Sequence, residues 1–156
     1  MSSSRIVSRQ AISRIANRAR KVKKRIVFTN GVFDILHRGH VQYLTKARTF
    51  GDLLIVGLNT DASVKRIKGP SRPIQPEKDR AYILSSLRCV DYVVLFGEET
   101  PEKLIQLVKP DVLVKGSDYK IADIVGSDFV KSYGGKTRRV KLVSGRSSSK
   151  IIAKLK

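Results

Sequence analysis

His37 and His40 are the only two histidines of the 156-residue chain, and they flank Gly39 in the string Thr29-Asn30-Gly31-Val32-Phe33-Asp34-Ile35-Leu36-His37-Arg38-Gly39-His40. Imidazole N–H groups donate well to phosphate oxygens, and a glycine between the rings lets a phosphate approach the backbone. Upstream, Ile26, Val27 and Phe28 read as a short buried strand. It ends at Asn30-Gly31, residues that tolerate a tight turn. Downstream, Val41, Leu44, Ala47 and Phe50 recur at helical spacing. The histidines therefore fall where a strand hands over to a helix, and the free N–H groups of a helix start favour anions. The plain alternative is a turn whose histidines only cap or pack. Anion chemistry is the better reading.

Other stretches carry compatible groups. Lys68-Gly69-Pro70-Ser71-Arg72-Pro73-Ile74-Gln75-Pro76 holds too many prolines for regular structure. Its Lys68 and Arg72 are either solvated charges or cations that close over phosphates from a lid. Lys115-Gly116-Ser117-Asp118 is a charged turn whose carboxylate suits a ribose or sugar hydroxyl. Ser144-Gly145-Arg146-Ser147-Ser148-Ser149 precedes Ile151-Ile152-Ala153. That pattern suits either a phosphate-binding helix start or a flexible basic tail.

Positioning these groups requires the following elements. Residues 5–24 read as a basic helix with an apolar stripe of Ile12, Ile15, Ala16, Ala19 and Val22. Packing on the domain edge, contact with a membrane surface or nucleic acid, and a partly disordered arm compete for it. Leu53–Leu58 reads as a second buried strand, and Asn59-Thr60-Asp61 offers the cap of a helix through Arg66. Glu77–Leu87 reads as a helix with Ala81, Ile83, Leu84 and Leu87 inward and Arg80 near its start. Tyr92–Phe96 is a third strand, and Thr100-Pro101 looks like a helix entry with Thr100 as cap. Val112–Val114, a last strand over Thr137–Val143 and a helix from about Ser148 complete the chain. Alternation of helices with near-continuous apolar strands predicts a single α/β domain with a doubly wound, Rossmann-like parallel sheet, preceded by the basic helix over residues 1–24. Ligands of such sheets bind at the carboxyl ends of the strands. The His37–His40 turn and the Lys115–Asp118 turn both fall there.

Composition narrows the class. Hydrophobic residues make up 41% and charged residues 29%, as in an ordinary globular domain. No apolar run reaches membrane-span length, and Met1–Arg5 leads into basic residues rather than a leader core. One cysteine, Cys89, excludes an internal disulfide framework and is expected as a small buried side chain. These points predict a cytoplasmic protein. The net charge of +19 is unusual, and no Asp or Glu precedes Asp34 or follows Asp128. Such a field attracts nucleotides and sugar phosphates and binds nucleic acid nonspecifically.

The histidine string resembles the His-x-Gly-His signature of the nucleotidylyltransferase superfamily, in its cytidylyltransferase-like branch. Gly145 followed by Ser147-Ser148-Ser149 is similar to the second signature of that superfamily, with serines in place of threonines. Lys68-Gly69-x-x-Arg72-Pro73, Arg80 and Val114-Lys115-Gly116-x-Asp118-Tyr119 resemble the heptose 1-phosphate adenylyltransferases. Glycerol-3-phosphate cytidylyltransferases carry an arginine three residues before the second-signature glycine, where this chain has Leu142. The resemblance thus implies ATP rather than CTP, with transfer of AMP to a heptose 1-phosphate. CMP transfer to an alcohol phosphate is the alternative enzyme, and a nucleic-acid-binding protein on the same fold the alternative class. The resemblance gives His37, His40 and Lys68 catalytic roles. It assigns Val32, Phe33, His37, Gly39, His40, Asp118, Gly145, Arg146, Ser147, Ser148 and Ser149 to the nucleotide. Asn30, Asp34, Lys68, Arg72, Arg80 and Lys115 go to the phosphorylated acceptor. No protein metal cage is expected, and Mg²⁺ would enter on the triphosphate. A homodimer is a further implication, since relatives commonly pair. Because relatives are often fused to a sugar kinase that this chain is too short to contain, it would work beside a separate kinase or be a fragment of such a fusion.

Overall fold

In the computed structural model, which describes residues 4–142 and 147–156, five strands form one all-parallel sheet. They are β1 (Ile26–Gly31), β2 (Leu53–Asn59), β3 (Tyr92–Phe96), β4 (Val112–Gly116) and β5 (Lys136–Val140), in the order β3-β2-β1-β4-β5. The helices are α1 (Arg9–Lys21), α2 (Arg38–Arg48), α3 (Asp61–Lys68), α4 (Glu77–Ser85), α5 (Glu102–Val108), α6 (Ser127–Ser132) and α7 (Ser148–Lys154). The Rossmann-like doubly wound reading therefore holds. The chain direction of winding reverses at β1, so β2 and β4 flank it and a crevice opens above its carboxyl end.

Period-two alternation explains why helices cover both faces. Ile26, Phe28, Ile55, Val94, Phe96 and Leu113 enter one buried cluster with residues of α1, α5 and α6. Val27, Leu54, Val56, Val93, Val112 and Val114 enter the other with residues of α2 and α4. β1 to β4 are largely buried on both sides, which is why they lack polar alternation, whereas β5 at the sheet edge is mostly exposed.

The α1 helix packs on α5, β3 and β1, with Ile12, Ala16 and Ala19 buried and Ile15 partly so. Ahead of it, Ile6 pairs with Val93 as an isolated parallel bridge, with the Val7 N–H donating to the Val93 carbonyl. Arg9 also pairs with Glu98 in the loop after β3. Val22 departs from the expected stripe at 67% exposure, because the helix stops at Lys21 and Lys23 turns with φ of 59°.

Smaller corrections follow from where the turns fall. Lys68 ends α3 instead of opening the loop, and Gly69 closes that helix at φ of 100°. Pro101, not Thr100, takes the capping position of α5. Ile83 is exposed, because the inward position near the start of α4 belongs to Arg80. Cys89 is half-buried. The β5 strand runs Lys136–Val140, shorter than expected, and α6 and the 3₁₀ turn Ile121–Asp123 give no sequence signal strong enough to mark them.

Candidate active site

The histidines cap their own helix. His37 is the N-cap of α2, and its Nδ1 accepts from the Gly39 N–H at 3.0 Å. His40 reaches back, its Nδ1 accepting from the His37 N–H at 3.4 Å. The two rings stack with centroids 3.8 Å apart, and Phe33 meets His40 edge-on at 5.3 Å. Because both Nδ1 atoms accept, each neutral ring carries its proton on Nε2 and is a donor there. Burial, then the neighbouring His37, push the pKa of His40 down to about 4. At neutral pH His40 is therefore an uncharged N–H donor. The cap and the donor are the same pair of rings.

Phe33 holds φ at 48°, a left-handed conformation in the loop that turns β1 toward α2. Tyr43, one turn beyond His40, donates to Thr29 at 2.8 Å, and Thr29 donates to the Val114 carbonyl at 2.9 Å. This relay joins α2, β1 and β4 beneath the crevice. Burial pushes the Tyr43 phenol up to about 12, so it stays protonated. Sequence reasoning missed Tyr43, although its spacing of three from His40 puts it on the same helix face.

Asp34 is 1% exposed. Burial alone would raise its pKa, but the N–H groups of Gln75 and Ile74 and the Arg72 guanidinium outweigh this and hold it low. Arg72 Nε donates to it at 2.7 Å, the Ile74 N–H at 2.9 Å and the Gln75 N–H at 3.0 Å. Asp34 thus anchors the proline-rich loop against the crevice. Arg72, placed by this pair, lines the cavity together with Lys68.

Arg80 does not line it. Its side chain is wholly buried and donates to the carbonyls of Gln75, Val32 and Asn59 and to Asp61 Oδ1. It ties together the loops after β1 and β2 and the start of α4, so the expected contact with substrate gives way to a structural role.

A cavity of about 310 Å³ lies above the β1 and β4 ends. It brings together Asn30, Val32, Phe33, Asp34, His37, Gly39, His40, Lys68, Arg72, Lys115, Asp118, Ser147, Ser148 and Ser149. Gly145 and Arg146 lie outside the described residues. A Cβ at Gly116 would sit 2.6 Å from Asp118 Oδ1, so glycine lets β4 end against its own turn. Lys115 is pushed down by burial, with Asp118 opposing that shift, and its ammonium lies 5.4 Å from the Tyr119 ring centre. Ser147 caps α7 by accepting from the Lys150 N–H at 3.1 Å. Ser148 donates to the Ile35 carbonyl at 2.8 Å and so staples α7 to the histidine loop. Among the described residues no cluster of three His, Cys, Asp or Glu side chains could hold a metal ion.

The model of the cytidylyltransferase-like family matches residues 28–154. The chain belongs to the cytidylyltransferase-like family. Membership makes it a nucleotidyltransferase. Among its relatives in the family is the bifunctional protein HldE of Wolinella succinogenes, 54% identical over 99% of this chain and 32% of that protein. The bifunctional protein HldE of Helicobacter pylori strain Shi470 is 60% identical over 86% of this chain and 28% of that protein. The chain thus spans about a third of the length of the curated relatives it matches. A lipopolysaccharide core biosynthesis protein from Thermoplasma volcanium has a solved structure that matches with a TM-score of 0.63 at 33% identity. That match covers 77% of this chain and 97% of the other. Pantoate-β-alanine ligase from Francisella tularensis, at 18% identity and a TM-score of 0.63, shares the fold; the match covers 96% of this chain and 76% of that one.

Proposed function

We propose that this chain transfers AMP from ATP to D-glycero-β-D-manno-heptose 1-phosphate, giving ADP-heptose and pyrophosphate. The observation that carries the reading is the stacked His37–His40 pair, each Nδ1 turned to the backbone of the helix start and both residues lining the crevice where the sheet reverses. The choice of substrates is supported by the likeness to the HldE proteins and by the heptose adenylyltransferase blocks around Lys68, Arg72 and Lys115.

In this reading an oxygen of the acceptor phosphate attacks the α-phosphorus of ATP. A P–O bond forms, and the bond from the α-phosphorus to the α,β-bridging oxygen breaks. Its electron pair leaves on pyrophosphate. No protein nucleophile is required; the protein must align two polyanions and stabilise charge as it develops. His37 and His40 donate to the α-phosphate oxygens. Lys68 and Arg72 offset the β,γ-phosphates from the anchored loop, while Lys115 meets the acceptor phosphate. Asp118 accepts from a ribose hydroxyl, and Ser149 offers its hydroxyl near the start of α7. Magnesium, bound by the triphosphate and water, would supply charge neutralisation, with Asp118 as the wall carboxylate not committed to Arg72.

Pyrophosphate release, measured with ATP and CTP against heptose 1-phosphate and glycerol 3-phosphate, tests the assignment. The expected result is fastest turnover with ATP and the heptose phosphate. Equal or better kcat/KM with CTP and glycerol 3-phosphate would move the chain to alcohol-phosphate cytidylyl transfer.

A further inference from the structure

A second, smaller cavity of about 150 Å³ adjoins the first and shares Asn30, Lys115 and Tyr119 with it. Its charge balance is reversed. The first cavity presents Lys68, Arg72, Lys115 and two imidazoles against Asp118 and an Asp34 that is paired with Arg72. Among the described residues the second presents Glu99 and Asp123, with Thr100, against Lys115 alone at the shared wall. The chain has only 13 acidic residues against 32 basic ones, so two carboxylates in this small wall run against the composition. Ionised carboxylates only accept hydrogen bonds, and they repel phosphate. A ligand group seated there must donate hydrogen bonds and carry no negative charge. The rest of the wall is apolar: Pro101, Leu113, Ile124 and Val125 offer a surface to C–H groups. Carboxylates and an amide beside an apolar floor and a tyrosine ring suit a molecule with hydroxyls around its rim and C–H faces.

We infer that this second cavity is the acceptor's polyol subsite: Glu99, Thr100 and Asp123 accept from or donate to the sugar hydroxyls, and the sugar's phosphate projects past Lys115 and Asn30 toward His37 and His40. The inference rests on the reading of the chain as a nucleotidyltransferase acting on a sugar phosphate. It adds Glu99, Thr100 and Asp123 as specificity-determining residues. It also explains how a strongly cationic crevice keeps two polyanions in order. Either substrate's phosphates are drawn to the first cavity, but only the hydroxyl-bearing end of the acceptor is welcome in the second. Lys115 and Tyr119 form the partition.

Glu99 and Asp123 are exposed, so Glu99→Gln and Asp123→Asn leave the core untouched. Each is expected to raise KM for heptose 1-phosphate about 10-fold, the scale of losing a hydrogen bond to a charged group. KM for ATP and kcat are expected to stay within about 2-fold, as for loss of uniform binding to one substrate. An unchanged acceptor KM would overturn the subsite, and so would a rise in KM for ATP alone, which would put the nucleobase there. A binding measurement separates this from the choice of substrate. Calorimetric titration of mannose 1-phosphate and of inorganic phosphate, with a nonhydrolysable ATP analogue present, should show the sugar phosphate binding about 10-fold tighter than phosphate alone. The Glu99→Gln/Asp123→Asn double variant should lose that margin. If heptose 1-phosphate supports no turnover yet the margin vanishes on substitution, the substrate assignment falls and the subsite stands. If wild type shows no margin, or the double variant keeps it, the subsite falls whatever the enzyme turns over.

Discussion

His40 caps its own helix and, in the proposed reaction, is also the donor to phosphate. Its Nδ1 is spent on the backbone of its own helix start, which leaves Nε2–H as the group available to a phosphate. His40→Ala is expected to lower kcat by roughly 10²-fold or more, the scale of losing one oxyanion-type donor, with a much smaller change in KM for ATP. Near wild-type turnover would remove it from the mechanism. Its titration has a definite sign. The unfolded residue takes up its proton near pH 6.5, the folded one near 4. Between these values the unfolded chain binds more protons, so stability rises with pH across that window and is lost as pH falls from about 6.5 toward about 4. An imidazole NMR titration should place the His40 midpoint below about 5, and a midpoint near 6.5 would show that the ring is not desolvated. Arg80 makes the contrasting case. Arg80→Ala should cost about 3–5 kcal/mol in a denaturant melt, because it strands three carbonyls and Asp61 around a buried hole. A stable variant with raised KM for either substrate would restore it to the binding site.

At the scale of elements, the N-terminal segment is part of the core. Ile12, Ala16 and Ala19 are buried against α5 and the sheet, and Ile6 and Val7 line the β3 edge. Deleting residues 1–20 is expected to lower stability by several kcal/mol, since a fully buried aliphatic side chain contributes roughly 1.5–3 kcal/mol. A melting temperature taken with and without the segment decides the matter. An unchanged value together with lost binding to nucleic acid or phospholipid would make α1 an interaction arm instead. The opposite edge of the sheet is managed differently. No strand covers β5 among the described residues, and Lys136, Arg138 and Arg139 stand exposed on it. Such charges discourage edge-to-edge pairing.

Across the whole molecule, the +19 charge would act on the polyanionic substrates of the proposed reaction before they touch the site. kcat/KM is expected to fall as salt rises, because steering is screened over a Debye length of about 8 Å at physiological ionic strength. kcat, read at saturating substrate, should change little over the same range. A salt-independent kcat/KM would mean that the acid-free ends have no part in substrate capture. Among the described residues no helix is long and apolar enough to cross a membrane.

What the sequence determined by itself was set by local rules. Buried β-branched runs, helical spacing and the Asn30-Gly31 turn specified a parallel α/β sheet, and the two histidines around Gly39 marked where its crevice would be. These signals survive without tertiary context because each depends on neighbours within a few residues. Tertiary structure decided which charges line the cavity. Arg72 and Arg80 look equivalent in the chain, yet the first pairs with Asp34 at the cavity wall while the carbonyls of Val32, Asn59 and Gln75 hold the second buried. Likewise Glu99 and Asp123 lie in separate loops after β3 and β4, and only packing beside Lys115 makes them one wall. Such roles depend on what lies opposite in space, across separations of up to 48 residues for Arg80 and Val32, and no local pattern records them.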